Sequence, residues 1–139
     1  MLAFATEQLS ERGVQLTPIR RSVLQLLCRE QKDVSAYDLL TFYEKALGRR
    51  TTANTIYRAL HFLEEHGVVA HLSSTRTYIV RVFRESAEPS VFFVCGGCKT
   101  TTECKDPHVE SAVSAKAKTI GFSSHLRKIE VQGVCDGCV

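Results

Sequence analysis

Thr52-Ala53-Asn54-Thr55-Ile56-Tyr57-Arg58-Ala59-Leu60-His61-Phe62-Leu63-Glu64-Glu65-His66-Gly67 is the stretch on which the reading of this 139-residue chain turns. Thr52 is a favoured N-cap and Gly67 a favoured stop, which predicts a helix from Thr52 through His66. Ile56, Ala59, Leu60 and Leu63 recur at helical spacing and must face a core, whereas Asn54, Tyr57, Arg58 and His61 fall on another face. Between Lys45 and Leu63 there are four cations, Lys45, Arg49, Arg50 and Arg58, and no acid. Such a local field suits a polyanion. The residue types are those that read a DNA major groove: Arg can bond a guanine edge through two N–H groups, Asn can pair with adenine, and Tyr can pack on a thymine methyl or bond a phosphate. Arg49, Arg50, Thr51 and Thr52 stand at the helix N-terminus, where free backbone N–H groups and the helix dipole also favour phosphate. A plainer reading stays open at this point, with Tyr57 as a core aromatic and Arg58 as an ordinary surface charge.

Working outward, Thr17-Pro18 places a cap and an N1 proline before Ile19, Val23, Leu24, Leu26 and Leu27, predicting a helix to about Glu30. Ser35 and Asp38 resemble a capping box for Ala36–Leu47, with Leu39, Leu40, Tyr43 and Leu47 on one face. Leu2–Arg12 is a further helix candidate. After Gly67 the pattern turns to β-rich runs, Val68–Leu72 and Thr77–Phe83, joined by the polar Ser73-Ser74-Thr75-Arg76. Helices followed by a hairpin predict a winged helix over residues 1–83. The polar run Arg84–Ser90 contains Pro89 and reads as a linker, residues 84–90. Beyond it, residues 91–139 predict a strand at Val91–Val94, one near Thr100–Cys104, a helix at about Val109–Thr119 and a strand at His125–Val131. The fold class expected is α+β.

Six cysteines supply a second signal. Four form two C-x2-C pairs, Cys95/Cys98 and Cys135/Cys138, separated by 36 residues. No run approaches the roughly 18 apolar residues that span a bilayer, and the first residues lack the basic and apolar regions of a secretion signal, so a cytoplasmic protein with no membrane association is expected. In a reducing compartment paired knuckles read better as one tetrahedral thiolate zinc site than as two disulfides. The net charge of +3 resides in residues 1–83, which hold 11 Lys and Arg against 8 Asp and Glu, while residues 84–139 hold 7 of each. Hydrophobic residues at 44% and only 11 Pro plus Gly exclude a disordered or collagenous chain.

Taken together, Leu16-Thr17-Pro18-Ile19-Arg20-Arg21, Ser35-Ala36-Tyr37-Asp38-Leu39-Leu40, Thr55 through Leu63 and the two cysteine pairs resemble the ferric uptake regulator family, and within it the zinc uptake regulator branch. The resemblance covers most of the chain. It implies an N-terminal winged-helix DNA-binding domain and a small C-terminal α/β dimerisation domain with one structural zinc per chain. It further implies a homodimeric repressor acting on a palindromic, A·T-rich double-stranded operator, with Tyr57 and Arg58 contacting bases and Arg20 the DNA backbone.

The branch also has a sensory metal site, and here the sequence departs from it. The ligand positions fall at Ala70, Arg81, Glu88 or Pro89, and Glu103, so that only the Glu is kept; other members use histidines that align near Leu126 and Gln132. A guanidinium has no lone pair for a metal. Two readings stay open: a substitute regulatory zinc site drawing on His71, Glu103, Cys104 and His108, or a regulator that has lost metal sensing and acts constitutively or answers another signal. Against the substitute site, His71 is one residue from the expected position, and one step along a strand reverses the face. A zinc-ribbon interaction module without an operator is a further reading. Enzymatic use of the cysteines is not expected, because four thiolates leave no open coordination position.

Overall fold

The computed structural model describes residues 2–30, 32–82, 89–124 and 128–139. The chain forms two compact units, one up to Arg81 and one from Val82 onward.

Helices α1 (Leu2–Glu11), α2 (Pro18–Glu30), α3 (Ala36–Leu47) and α4 (Ala53–Glu65) build the first unit with a sheet of β1 (Val34–Ser35), β2 (Val69–Leu72) and β3 (Thr77–Val80). Helices α3 and α4 start where the sequence offers an oxygen to a free N–H: Ser35 Oγ accepts from Asp38 N, and Thr52 Oγ1 from Thr55 N. The dry stripe of α4 fills the centre, with Ile56, Leu60 and Leu63 fully buried and Ala59 nearly so. Val23, Leu24 and Leu27 of α2, Leu39 and Tyr43 of α3, and Ala5 and Leu9 of α1 close around them. The sheet runs in the order β1-β3-β2, with β2 and β3 antiparallel and His71 opposite Tyr78. The pair Val34–Ser35 is too short to show a periodicity of its own and was not expected as a strand. It pairs with Tyr78 and Thr77, and Thr77 Oγ1 donates to Asp33 Oδ2 at 2.7 Å.

The second unit is a sheet of β4 (Ser90–Cys95), β5 (Thr101–Cys104) and β6 (Lys128–Gly133), with α5 (Pro107–Thr119) crossing from β5 to β6. Central β4 runs antiparallel to β5 and parallel to β6. A parallel neighbour cannot be reached by a tight turn, and the α5 crossover supplies the required length. Val91, Phe92, Val94 and Cys95 are buried along β4, while α5 buries only Ala117.

Several boundaries differ from the sequence expectation. The wing's second strand ends at Val80 rather than Phe83, because the Val82 N–H donates to the carboxylate of Glu103 in the second unit instead of to a neighbouring strand. Phe83 itself lies outside the described residues, as do 84–88 of the expected linker, Glu88 included. Ser90, placed in that linker by the sequence, is the first residue of β4 and pairs with Lys128. Helix α5 begins two residues earlier than expected because Asp106 Oδ1 caps the His108 N–H. The last strand is described from Lys128; His125 and Leu126 lie outside the described residues.

Gly67 sets the angle at which the chain leaves α4 for the wing. Its φ is +71°, its N–H donates to Glu64 O and the Val68 N–H to Leu63 O, so the last turn is closed while Val68 packs beside Leu63 in the core. A Cβ here meets no atom within 4 Å, so its cost is conformational rather than steric. Gly67→Ala is expected to destabilise the first unit by about 1–2 kcal/mol, read as a lower thermal midpoint in a two-state melt.

Candidate nucleic-acid interface and metal centre

Helix α4 turns Asn54, Tyr57, Arg58 and His61 outward, all exposed, with Thr52 and the cations Arg49 and Arg50 exposed at its start. Tyr57 is 50% exposed, which rules out its reading as a core aromatic. Tyr57, Arg58, His61 and Phe62 share an open cleft of about 540 Å³ with Arg20 from α2, and Tyr78 of β3 closes the far side. Burial, then the charge of Glu64 and the neighbouring Tyr57, pushes the Tyr78 phenol up from its usual pKa and keeps it neutral. The first turn of α2 carries Arg20 and Arg21 and no acid, so cations stand at the positive end of a helix dipole.

The acid-free field ends sharply at Leu63. Glu64 and Glu65 line the same cleft, and Glu65 Oε1 lies 3.2 Å from His61 Nε2. The N-terminal two turns of α4 are therefore the cationic part of this face, and His61 marks its border.

The four knuckle cysteines meet at one point. Cys95, Cys98, Cys135 and Cys138 place their sulfurs within 4.8 Å of one another, the one group of three or more close His, Cys, Asp or Glu ligands among the described residues. Parallel pairing explains the meeting: with Cys95 opposite Gly133, β4 and β6 end side by side and deliver both knuckles to the same end of the sheet. Cys98 Sγ and Cys135 Sγ are 3.7 Å apart, far beyond a disulfide bond. A tetrahedron with zinc–sulfur bonds of about 2.3 Å has sulfur–sulfur edges of about 3.8 Å, so the donor set fits zinc in both chemistry and size.

The protonation pattern of the cluster points the same way. A backbone N–H from Cys135 leads in lowering the Cys95 thiol to about 6, the Thr100 side chain leads in lowering Cys98, and Cys138 is pushed up to about 12, first by Cys135 and then by Cys95 and Cys98. Four sulfurs so close cannot all become anions without a cation among them. Gly97 was missed as a site residue: a Cβ there would lie 2.9 Å from both Cβ and Sγ of Cys138, so the first knuckle must present bare backbone to the second. The Cys95-Gly96-Gly97-Cys98 sequence held that signal. The spacing His108-Val109-Glu110, which in a zinc deaminase would be ligand and base, does not join the cluster.

The sensor candidates have other occupations. Ala70 is buried in the core, and His71, on the opposite face of β2, rests its ring 4.7 Å from that of Tyr78 while its N–H donates to Glu64 Oε2. In the second unit Glu103 Oε2 accepts from the Val82 N–H at 2.6 Å and Oε1 from the fully buried Ser90 Oγ at 2.7 Å. Cys104 is half-buried and His108 exposed at the start of α5.

The chain is 35% identical over 140 residues to the zinc uptake regulation protein of Escherichia coli (strain K12), covering all of this chain and 81% of that protein. Its fold superimposes on a zinc uptake regulator complexed with zinc and DNA with a TM-score of 0.88 at 34% identity, over 98% of this chain and 91% of the other. The crystal structure of holo XcZur gives 0.84 at 35% identity, over 99% and 97%. The sequence profile of the ferric uptake regulator family runs from residue 11 to residue 132, through α4 and the first knuckle alike, and the chain belongs to that family.

Proposed function

We propose that this protein is a sequence-specific DNA-binding repressor of the zinc uptake regulator type, acting in the cytoplasm on genes of zinc homeostasis. The observation that carries the reading is the outward stripe of α4, with Asn54, Tyr57 and Arg58 exposed on an acid-free stretch and Arg20 sharing a cleft with Tyr57 and Arg58. Arg58 and Asn54 are the base readers, with Tyr57 packing on a base or its phosphate, and Arg20, Arg49, Arg50 and Thr52 fix the register on the backbone. His61 contributes at the border of the contact.

One such module binds weakly, and a two-fold dimer places two copies of α4 in successive major grooves of a palindromic, A·T-rich site. The apolar surface of the second unit supports the dimer: Ile120 and Phe122 are 69% and 61% exposed, and Phe93 and Val131 lie side by side on the sheet with 48% and 39% of their surface exposed. Zinc held by Cys95, Cys98, Cys135 and Cys138 ties the end of β4 to the end of the chain, and its role is structural because all four positions are protein thiolates.

A second reading, of a regulator without steep metal sensing, is favoured by one observation: both oxygens of Glu103 already accept protein hydrogen bonds, and Ala70 and Arg81 occupy two of the family's ligand positions. A regulatory metal shifts DNA binding only by its difference in affinity for two conformations.

Four measurements test these readings. Removing zinc with a chelator, or Cys135→Ser, is expected to unfold or monomerise the second unit, since structural zinc contributes on the order of 10 kcal/mol of apparent binding free energy. Gly97→Ala should weaken zinc retention without removing a ligand. Arg58→Ala should cost about 1–3 kcal/mol of operator affinity and relax base preference, and unchanged preference would reject the assignment of α4. With the thiolate site kept loaded, free zinc titrated from the picomolar to the micromolar range should alter operator affinity only shallowly. A sharp switch abolished by His71→Ala or Glu103→Ala would establish the substitute sensor instead.

A further inference from the structure

We infer that Phe62 is a positioning residue for DNA recognition, its ring holding the Arg20 guanidinium so that the N–H donors of Arg20 stay free for a phosphate; the inference rests on the DNA-binding reading above. The guanidinium carbon of Arg20 lies 3.6 Å from the centroid of the Phe62 ring. Its nitrogens are about 1.3 Å from that carbon, so an edge-on approach would drive one of them into the ring. The guanidinium plane must lie across the face, and its donors then point outward around the rim.

The alternative fate of this side chain is on the same surface. Glu64 and Glu65 line the cleft that Arg20 lines, and either carboxylate would neutralise it. Among the described residues no carboxylate pairs with Arg20; Glu65 faces His61, and Glu64 accepts from the His71 N–H. Phe62 supplies what keeps the cation from those acids. It comes from the same helix as Tyr57 and Arg58, one step from His61, with its ring only partly buried against the core. Arg20 also stands in the first turn of α2, its N–H near Thr17 Oγ1, where a cation opposes the helix dipole. A position that gains nothing for the helix is suited to an anion from outside.

The test uses the full chain with its thiolate zinc loaded and a duplex selected from random sequence by the wild-type protein. Phe62→Leu keeps an apolar side chain and removes the ring; Phe62→Tyr keeps the ring. Expected for Phe62→Leu are a loss of about three- to tenfold in affinity and a shallower salt dependence matching Arg20→Ala. Phe62→Tyr should bind as wild type, and Phe62→Leu/Arg20→Ala no worse than Arg20→Ala alone. In the free protein, ring-current shifts on the Arg20 side-chain protons should be present in wild type and Phe62→Tyr and absent in Phe62→Leu. Wild-type binding by Phe62→Leu, losses that multiply in the double variant, or absent ring-current shifts would each overturn the inference. A wild-type protein that selects no duplex would overturn the DNA-binding reading itself, and the inference with it, whereas the ring-current shifts report the contact independently.

Discussion

Four side chains of α4 must be dry at the same time as four others must be wet, and the first unit is arranged around that requirement. Ile56, Ala59, Leu60 and Leu63 are buried by α1, α2 and α3, which leaves one side of the helix for solvent. Because the period is 3.6 residues, burying one stripe fixes the direction in which Asn54, Tyr57, Arg58 and His61 point. The core therefore does the orienting of a surface whose residues make few contacts of their own. The closed last turn at Gly67 then feeds β2 back beside the helix, which brings Tyr78 of β3 to the edge of the cleft.

The second unit solves a different problem. Its apolar interior is mostly one strand, β4, and α5 contributes a single buried alanine, too little to hold a fold of this size on its own. Sulfur chemistry makes up the difference. The parallel pairing of β4 with β6 places both knuckles at one end of the sheet, and Gly97 removes the Cβ that would keep them apart. The same thin interior leaves Ile120 and Phe122 exposed.

Charge is distributed with equal economy along α4. Its first two turns carry Arg58 and no acid, with Arg49 and Arg50 just ahead of the helix, and its last turn carries Glu64 and Glu65. Those acids are engaged within the unit: Glu64 accepts from the backbone of β2, and Glu65 lies beside His61. They also bound the acid-free stretch, beyond which an anion would be repelled. Glu103 shows a comparable reassignment in the second unit, where a carboxylate suited to a metal holds Val82 and Ser90 instead.

Sequence alone determined what depends on neighbours along the chain. The caps at Ser35 and Thr52, the stop at Gly67, the dry stripe of α4 and the C-x2-C pairs are each legible within a few residues, because helix capping, periodicity and knuckle spacing are local. Tertiary structure decided whatever joins distant residues. The strand at Val34–Ser35 exists only because β3 lies beside it, and the start of β4 at Ser90 only because Lys128 pairs with it. That Cys95 and Cys135 meet follows from a parallel register, and that Arg20 lies on Phe62 follows from the packing of α2 against α4. The occupation of Glu103 by Val82 and Ser90 was equally invisible, since hydrogen bonds between residues 21 and 13 positions apart leave no periodic trace in the sequence.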